Sequence, residues 1–158
     1  MKNIIMVFMI FFSFQHSFSQ EIKVFDFVIS IDEEIVKTLY NSTFVVKHES
    51  NIVSTVNVKY HPGNLSLEAK DFANLFSNQD NRVYLKFDYY EYIKGSQEIY
   101  NYEIEVGKNW FEQQYVILKI YNLEKKKYRK RLEPLSKDQN YTFDIDTSSG
   151  QMMRIRKP

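Results

Sequence analysis

The sequence predicts an all-β chain, an antiparallel β-sandwich of seven to nine strands with one short α-helix. Three observations carry this. Runs of four to nine residues rich in Val, Ile, Tyr, Phe and Thr alternate with polar residues. Gly, Pro, Asn and Ser punctuate those runs at Glu49-Ser50-Asn51, His61-Pro62-Gly63-Asn64, Lys94-Gly95-Ser96 and Ser148-Ser149-Gly150. Only the stretch from Leu67 to Phe76 breaks the period of two.

Before the first strand, Lys2 precedes an uncharged apolar run from Ile4 to Phe14, and Ser17-Phe18-Ser19 places small residues where a signal peptidase cuts. Residues 1–19 therefore read as a secretory signal peptide. The run is too short for the roughly 20 residues that span a bilayer. Its Ser-Phe-Ser-Gln ending resembles the signals of exported Bacteroidota proteins. Residues 20–158 form one sandwich domain by this reading, periplasmic or secreted, with no later membrane span. The chain has no Cys, so a core without disulfides must hold it together.

Strands are expected near 22–31, 43–49, 52–60, 82–92, 98–106, 115–122, 127–132, 141–146 and 152–156, with a short edge strand at 35–39. Within Leu67–Phe76, Ala69, Phe72, Leu75 and Phe76 share one helical face, and Ser66 is the expected N-cap. A helix of this length must pack on a sheet to persist. A small lipocalin-like barrel is the alternative, since closed barrels also read as consecutive hairpins. The helix interrupting the meander favours the sandwich.

Phe87 to Gly107 carries five tyrosines in 21 residues. If the chain turns at Lys94-Gly95, Tyr89 faces Tyr100, Phe87 faces Tyr102, Leu85 faces Ile104 and Val83 faces Val106. On the other face Tyr90 meets Ile99, Lys86 meets Glu103 and Tyr84 meets Glu105. A slip of one residue would set Phe87 against a polar partner, so the pattern selects this register. Tyr89, Tyr100 and Tyr102 are then core. Tyr84, Tyr90 and Tyr92 point outward, where another element covers them or they form an aromatic patch for a sugar or a protein.

The C-terminal hairpin is read with a three-residue loop, Ser148-Ser149-Gly150, so that Thr147 faces Gln151, Ile145 faces Met153, Phe143 faces Ile155 and Asp144 faces Arg154. Asp144 and Asp146 then form solvated ion pairs with Arg154 and Arg156. Leu132, Pro134, Tyr141, Phe143 and Ile145, as Leu-x-Pro…Tyr-x-Phe-x-Ile, resemble the approach to the tyrosine corner of immunoglobulin-like and fibronectin type III sandwiches. That resemblance implies a Tyr141 hydroxyl bonded back to the preceding loop.

Charge is unevenly spread: residues 20–105 sum to −6 and residues 106–158 to +6. The densest run is Lys125, Lys126, Lys127, Tyr128, Arg129, Lys130 and Arg131, at the expected turn between strands 115–122 and 127–132. It could meet a polyanion, with Tyr121 and Tyr128 stacking beside it. The plainer reading is a solvated hairpin tip, or two halves that neutralise each other. Trp110-Phe111 reads as a plug at one end of the sandwich.

No enzyme motif is present: no G-x-S-x-G, no P-loop, no G-x-G-x-x-G. His48 and His61 have no metal-ligand spacing. The expectation is an exported, non-enzymatic binding or accessory module for a protein or glycan partner, without cofactor or metal. Nucleic acid is not the expected partner. The binding candidates are Tyr84, Tyr90, Tyr92, Lys125, Lys126, Lys127, Arg129 and Arg131. The alternative is a carrier barrel for a small apolar ligand, with Tyr89, Tyr100, Tyr102 and Trp110 lining its cavity.

Overall fold

The computed structural model describes residues 21–152. The signal-peptide reading of residues 1–19 lies outside them, as do the readings for Met153, Arg154, Ile155 and Arg156. Two sheets pack face to face. The larger holds β1 (Ile22–Ile31), β2 (Glu34–Ile35), β5 (Lys59–His61), β6 (Gly63–Glu68), β9 (Val116–Asn122), β10 (Tyr141–Thr147) and β11 (Gly150–Met152). Its order is β11-β10-β9-β1-β6-β5, with β2 also paired to β1. The smaller holds β3 (Tyr40–His48), β4 (Asn51–Asn57), β7 (Asn81–Ile93) and β8 (Ser96–Val106), ordered β4-β3-β7-β8.

This is a sandwich and not the closed barrel of the alternative reading. One pairing departs from an antiparallel design: β1 and β9 run parallel, Phe27 beside Val116 through Ile31 beside Ile120. The strand count exceeds nine because of short strands. The most consequential is β6, in which Leu65 and Leu67 alternate inward and pair with Phe25 and Lys23 of β1. That pairing takes Leu67 and Glu68 out of the expected helix and Ser66 out of its cap. The helix spans Ala69–Leu75, with Glu68 and not Ser66 at its N-cap. It carries the chain from the larger sheet to the smaller one.

A single apolar cluster draws from both inner faces. Phe27, Ile29 and Ile31 of β1, Leu118 and Ile120 of β9, and Phe143 and Ile145 of β10 meet Phe44, Leu85, Phe87, Tyr102 and Ile104. Phe27, Phe44, Leu85, Phe87 and Ile104 are wholly buried. Burying each such side chain contributes about 1.5–3 kcal/mol. Trp110 is buried in the 3₁₀ turn Lys108–Glu112 and packs on Phe143 at 6.4 Å. Phe111 collects Phe25, Phe44, Phe72 and Phe76 at 4.9–5.8 Å. Trp110 lies in the core with Phe111 packed against it, and Phe111 anchors the helix through Phe72 and Phe76.

The β7–β8 hairpin has the expected register along its whole length, from Val83 opposite Val106 to Ile93 opposite Ser96. Lys94 (φ 51°) and Gly95 (φ 86°) both take the left-handed conformation, as a two-residue turn requires. The C-terminal hairpin differs from expectation by one residue. Gly150 enters the ladder opposite Thr147, so Asp146 faces Gln151 and Ile145 faces Met152, not Met153. The cause is local: Thr147 Oγ1 donates to the Gly150 carbonyl at 2.9 Å, and Gly150 sits at φ 136°. Asp144 is buried and not solvated. Among the described residues, Lys119 holds Asp146.

Candidate functional site

The smaller sheet loses a strand before its hairpin ends. β3 stops at Tyr40, opposite Asp88, after an irregular step between Tyr40 and Thr43. Asn41 takes φ 50° there, and its Nδ2 donates to Asp88 Oδ2 at 2.6 Å. Asn101 Nδ2 donates to the other Asp88 oxygen at 2.6 Å. Asp88 thus ties the end of β3 to both strands of the hairpin. Beyond it, among the described residues, 89–93 pair with β8 alone.

A cleft of about 310 Å³ opens along that stretch. One wall is the segment from Glu34 to Tyr40; the other is Tyr89, Tyr90, Tyr92 and Gln97. This lies at the small end of the range for ligand sites. Tyr40 and Tyr90 pack ring to ring at 4.4 Å. Tyr92 is 76 % exposed, and Ile35 and Ile99 are exposed nearby. Two of the three outward tyrosines singled out in the sequence therefore meet at one site. Tyr84 does not join them. It lies six residues from Tyr90, about 20 Å along the strand, and the Lys47 ammonium sits 4.7 Å over its ring. Lys47 also bonds Glu103.

Tyr89 and Tyr100 are half-buried, less enclosed than the core reading implied, because the hairpin tip projects past the end of β3. Tyr89 lines the cleft. Tyr100 donates to Glu98 at 2.5 Å, and this bond, with burial second, pushes its hydroxyl up to about 12. Tyr102 packs between Phe87 at 5.4 Å and Tyr141 at 5.0 Å. Of the four rings expected to line a carrier cavity, Tyr102 and Trp110 are buried in the core, while Tyr89 and Tyr100 are half-buried at its margin.

Sequence reading missed Tyr40, which stands 50 residues from Tyr90. Its one local signal was an aromatic followed by Asn-Ser, a pairing that permits a bulge.

The basic run has a different fate. It is not a hairpin tip leading into a strand at 127–132. Lys126–Arg129 is a helical turn, and the Leu132 N–H reaches the Tyr128 carbonyl at 2.9 Å. Tyr128 and Leu132, four apart, bury one side of that turn against Leu123, with Tyr121 packed alongside. Lys125 Nζ lies 2.8 Å from both Asp32 Oδ2 and Glu91 Oε1. Burial alone pulls the Lys125 ammonium down. The bonds to Asp32 and Glu91 outweigh that and hold it above the ordinary lysine value.

Lys127 pairs with Glu33 at 2.8 Å and lies 4.9 Å over its neighbour Tyr128. Asp32 and Glu33 form the β1–β2 turn with φ 54° and 77°. That strained turn is held by Asp32, whose Oδ1 accepts the Asn122 N–H at 2.8 Å and whose own N–H donates to the Ile120 carbonyl at 2.8 Å. Lys126, Arg129, Lys130 and Arg131 are exposed.

Tyr141 departs from the tyrosine-corner expectation. Its hydroxyl donates to the Glu103 carbonyl at 2.5 Å and accepts the Glu103 N–H at 3.0 Å, across the sandwich on the edge strand β8. From the preceding loop only the Gln139 side chain reaches it, at 3.2 Å.

Among the described residues no group of His, Cys, Asp or Glu is placed to hold a metal ion, and no helix is long and apolar enough to cross a membrane. The chain matches no protein-family model, no curated protein and no solved structure.

Proposed function

We propose that this chain is an exported, non-enzymatic binding module that takes a protein or glycan partner in the cleft beside Tyr40, Tyr89, Tyr90 and Tyr92. The observation that supports it is the meeting of four tyrosines from two distant segments around one open cleft. Tyrosine offers a broad apolar face, a polar tip and little rotamer entropy, and suits recognition for those reasons. Tyr40 and Tyr92 are exposed, Tyr90 is half-buried with its ring packed on Tyr40, and exposed Ile99 stands opposite Tyr90 on β8.

The basic run is the weaker candidate. Lys125 and Lys127 are engaged with Asp32, Glu91 and Glu33, so a polyanion would have to compete with three carboxylates. The −6 and +6 parts of the chain meet at these contacts.

The test uses a glycan array and a phage-displayed library of random peptides, each probed with the folded chain and with the Tyr90→Ala, Tyr92→Ala double variant. The expected result is a set of ligands that bind the unsubstituted chain and are lost in the variant, while the variant's unfolding midpoint stays close to the original. Ligands retained equally by both proteins would remove the cleft as the binding site.

A further inference from the structure

The main chain of the cleft wall carries information that its side chains do not. In an antiparallel ladder, alternate residues turn their N–H and C=O toward one neighbour and the rest turn them away. Tyr141 reveals the phase of this alternation. Its hydroxyl meets both the N–H and the C=O of Glu103, so Glu103 faces away from β7. Its partner Lys86 therefore faces away from β8. The same parity applies to Asp88, Tyr90 and Tyr92.

Lys86 spends those groups on β3, where it stands opposite Thr43. Tyr90 and Tyr92 lie beyond the end of β3. Their N–H and C=O groups point into the cleft, and no backbone bond to another described residue takes them up. The result is a row of donors and acceptors repeating every two residues, about 6.8 Å.

We infer that the cleft accepts an extended, uncharged peptide segment of a partner protein, which adds as a strand to the free edge of β7 at Tyr90 and Tyr92. This rests on the binding reading of the cleft and chooses between its two partner classes. A second extended backbone matches a periodic row of paired donors and acceptors; a sugar ring has no such repeat. The cleft lining has one acid, Glu34, and one base, Lys37. Glu91, in the same strand, is not in that lining and is held by Lys125, which it shares with Asp32. Nothing in the lining selects a charged segment, and the rings favour apolar or aromatic side chains.

The guards on other edges sharpen the point. Tyr141 caps β8 at Glu103, and β5 is three residues long, begins with Lys59 and runs into Pro62. Residues 89–93, Tyr-Tyr-Glu-Tyr-Ile, contain no Lys, no Pro and no register irregularity against β8. The wall from Glu34 to Thr38 leaves a cleft along this edge and not an open flat face.

Proline at position 92 is the discriminating substitution. The Tyr92 N–H points away from β8, so Tyr92→Pro removes no bond of the β7–β8 ladder and takes a donor from the free edge. Peptides enriched on the unsubstituted chain are synthesised and titrated against it and against Tyr92→Pro and Tyr92→Phe. Amide hydrogen exchange is followed on the unsubstituted chain with and without peptide.

The expected result is affinity about tenfold weaker for Tyr92→Pro than for Tyr92→Phe, the scale of one main-chain hydrogen bond and its desolvated partner. Exchange at Tyr90 and Tyr92 should slow on binding. Peptides that bind without slowing those two amides would overturn strand addition, even if Tyr92→Pro fails to fold. Array glycans that require Tyr90 and Tyr92, with no peptide enriched, would overturn it and leave the cleft as a binding site. Failure of peptides and glycans alike would take both readings down.

Discussion

The Lys125–Arg131 run and the Tyr89–Tyr102 row are the two densest features of this sequence, and the fold uses them in opposite ways. Two of the cations pair with carboxylates far away in the chain. Lys125 binds Asp32 and Glu91, Lys127 binds Glu33, and Tyr128 is buried beneath the same turn. Parity separates Tyr102 from Tyr90 and Tyr92, while Tyr89 borders both core and cleft. Tyr102 enters the core, while Tyr90 and Tyr92 reach a cleft where the sheet has run out of strands. A charge run is thus a poor guide to a surface when its partners lie elsewhere in the chain. A strand's parity is a good guide, because its consequences are local.

The sharpest way to break this contrast is to attack the buried member of each pair. Phe87→Ala should destabilise the chain by about 3–5 kcal/mol, since it empties a wholly buried site between Leu85 and Tyr102. Urea unfolding would measure it, and a loss near zero would mean that the parity is wrong.

Lys125→Met should cost about 1–2 kcal/mol, because Asp32 and Glu91 then share a site with no cation. Lys126→Met, one residue along and exposed, should stay within about 0.5 kcal/mol. Equal losses in the two variants would erase the distinction between a structural and a solvated lysine.

Tyr141→Phe keeps the ring and removes the cap on β8, and should cost about 1 kcal/mol by the same assay. Alkali should expose the buried tyrosines. Burial raises the hydroxyls of Tyr60, Tyr102 and Tyr141 above their ordinary value. The unfolded chain releases these protons near pH about 10 while the folded chain retains them. Stability should therefore fall as pH climbs past about 10, and Tyr60→Phe should flatten that slope. The smallest effect is expected at the cleft: Tyr92→Ala should change stability by no more than about 0.5 kcal/mol while abolishing cleft binding.

The parts of the fold legible in sequence were those settled by near neighbours. The β7–β8 register followed from one turn and from facing pairs such as Phe87 with Tyr102 and Lys86 with Glu103, which test the same alternation. The sandwich followed from strand runs and their punctuation. Three features escaped because a non-local contact outweighed a local preference. Gly63–Glu68 looked like a loop leading to a helix, yet pairing with β1 drew Leu65 and Leu67 into a strand. Lys127–Leu132 looked like a strand, yet Tyr128 and Leu132, four apart, needed a helical turn to share one apolar niche with Leu123. Tyr141 resembled a corner residue bonded to its own loop, but its hydroxyl found the unpaired edge of β8.

For the candidate site, Tyr90 and Tyr92 were visible as outward residues. Tyr40 and the cleft were not, since they depend on where β3 stops. The Asn41 conformation and its bond to Asp88 decide that point.

The free edge of β7 can be examined without any partner. Amide hydrogen exchange resolved by residue in the unliganded chain should alternate along the hairpin tip: Tyr89 and Glu91, bonded to β8, exchange slowly, and Tyr90 and Tyr92 exchange fast. Slow exchange at Tyr90 and Tyr92, matching their neighbours, would mean that the edge is already covered and that the cleft is not the opening described.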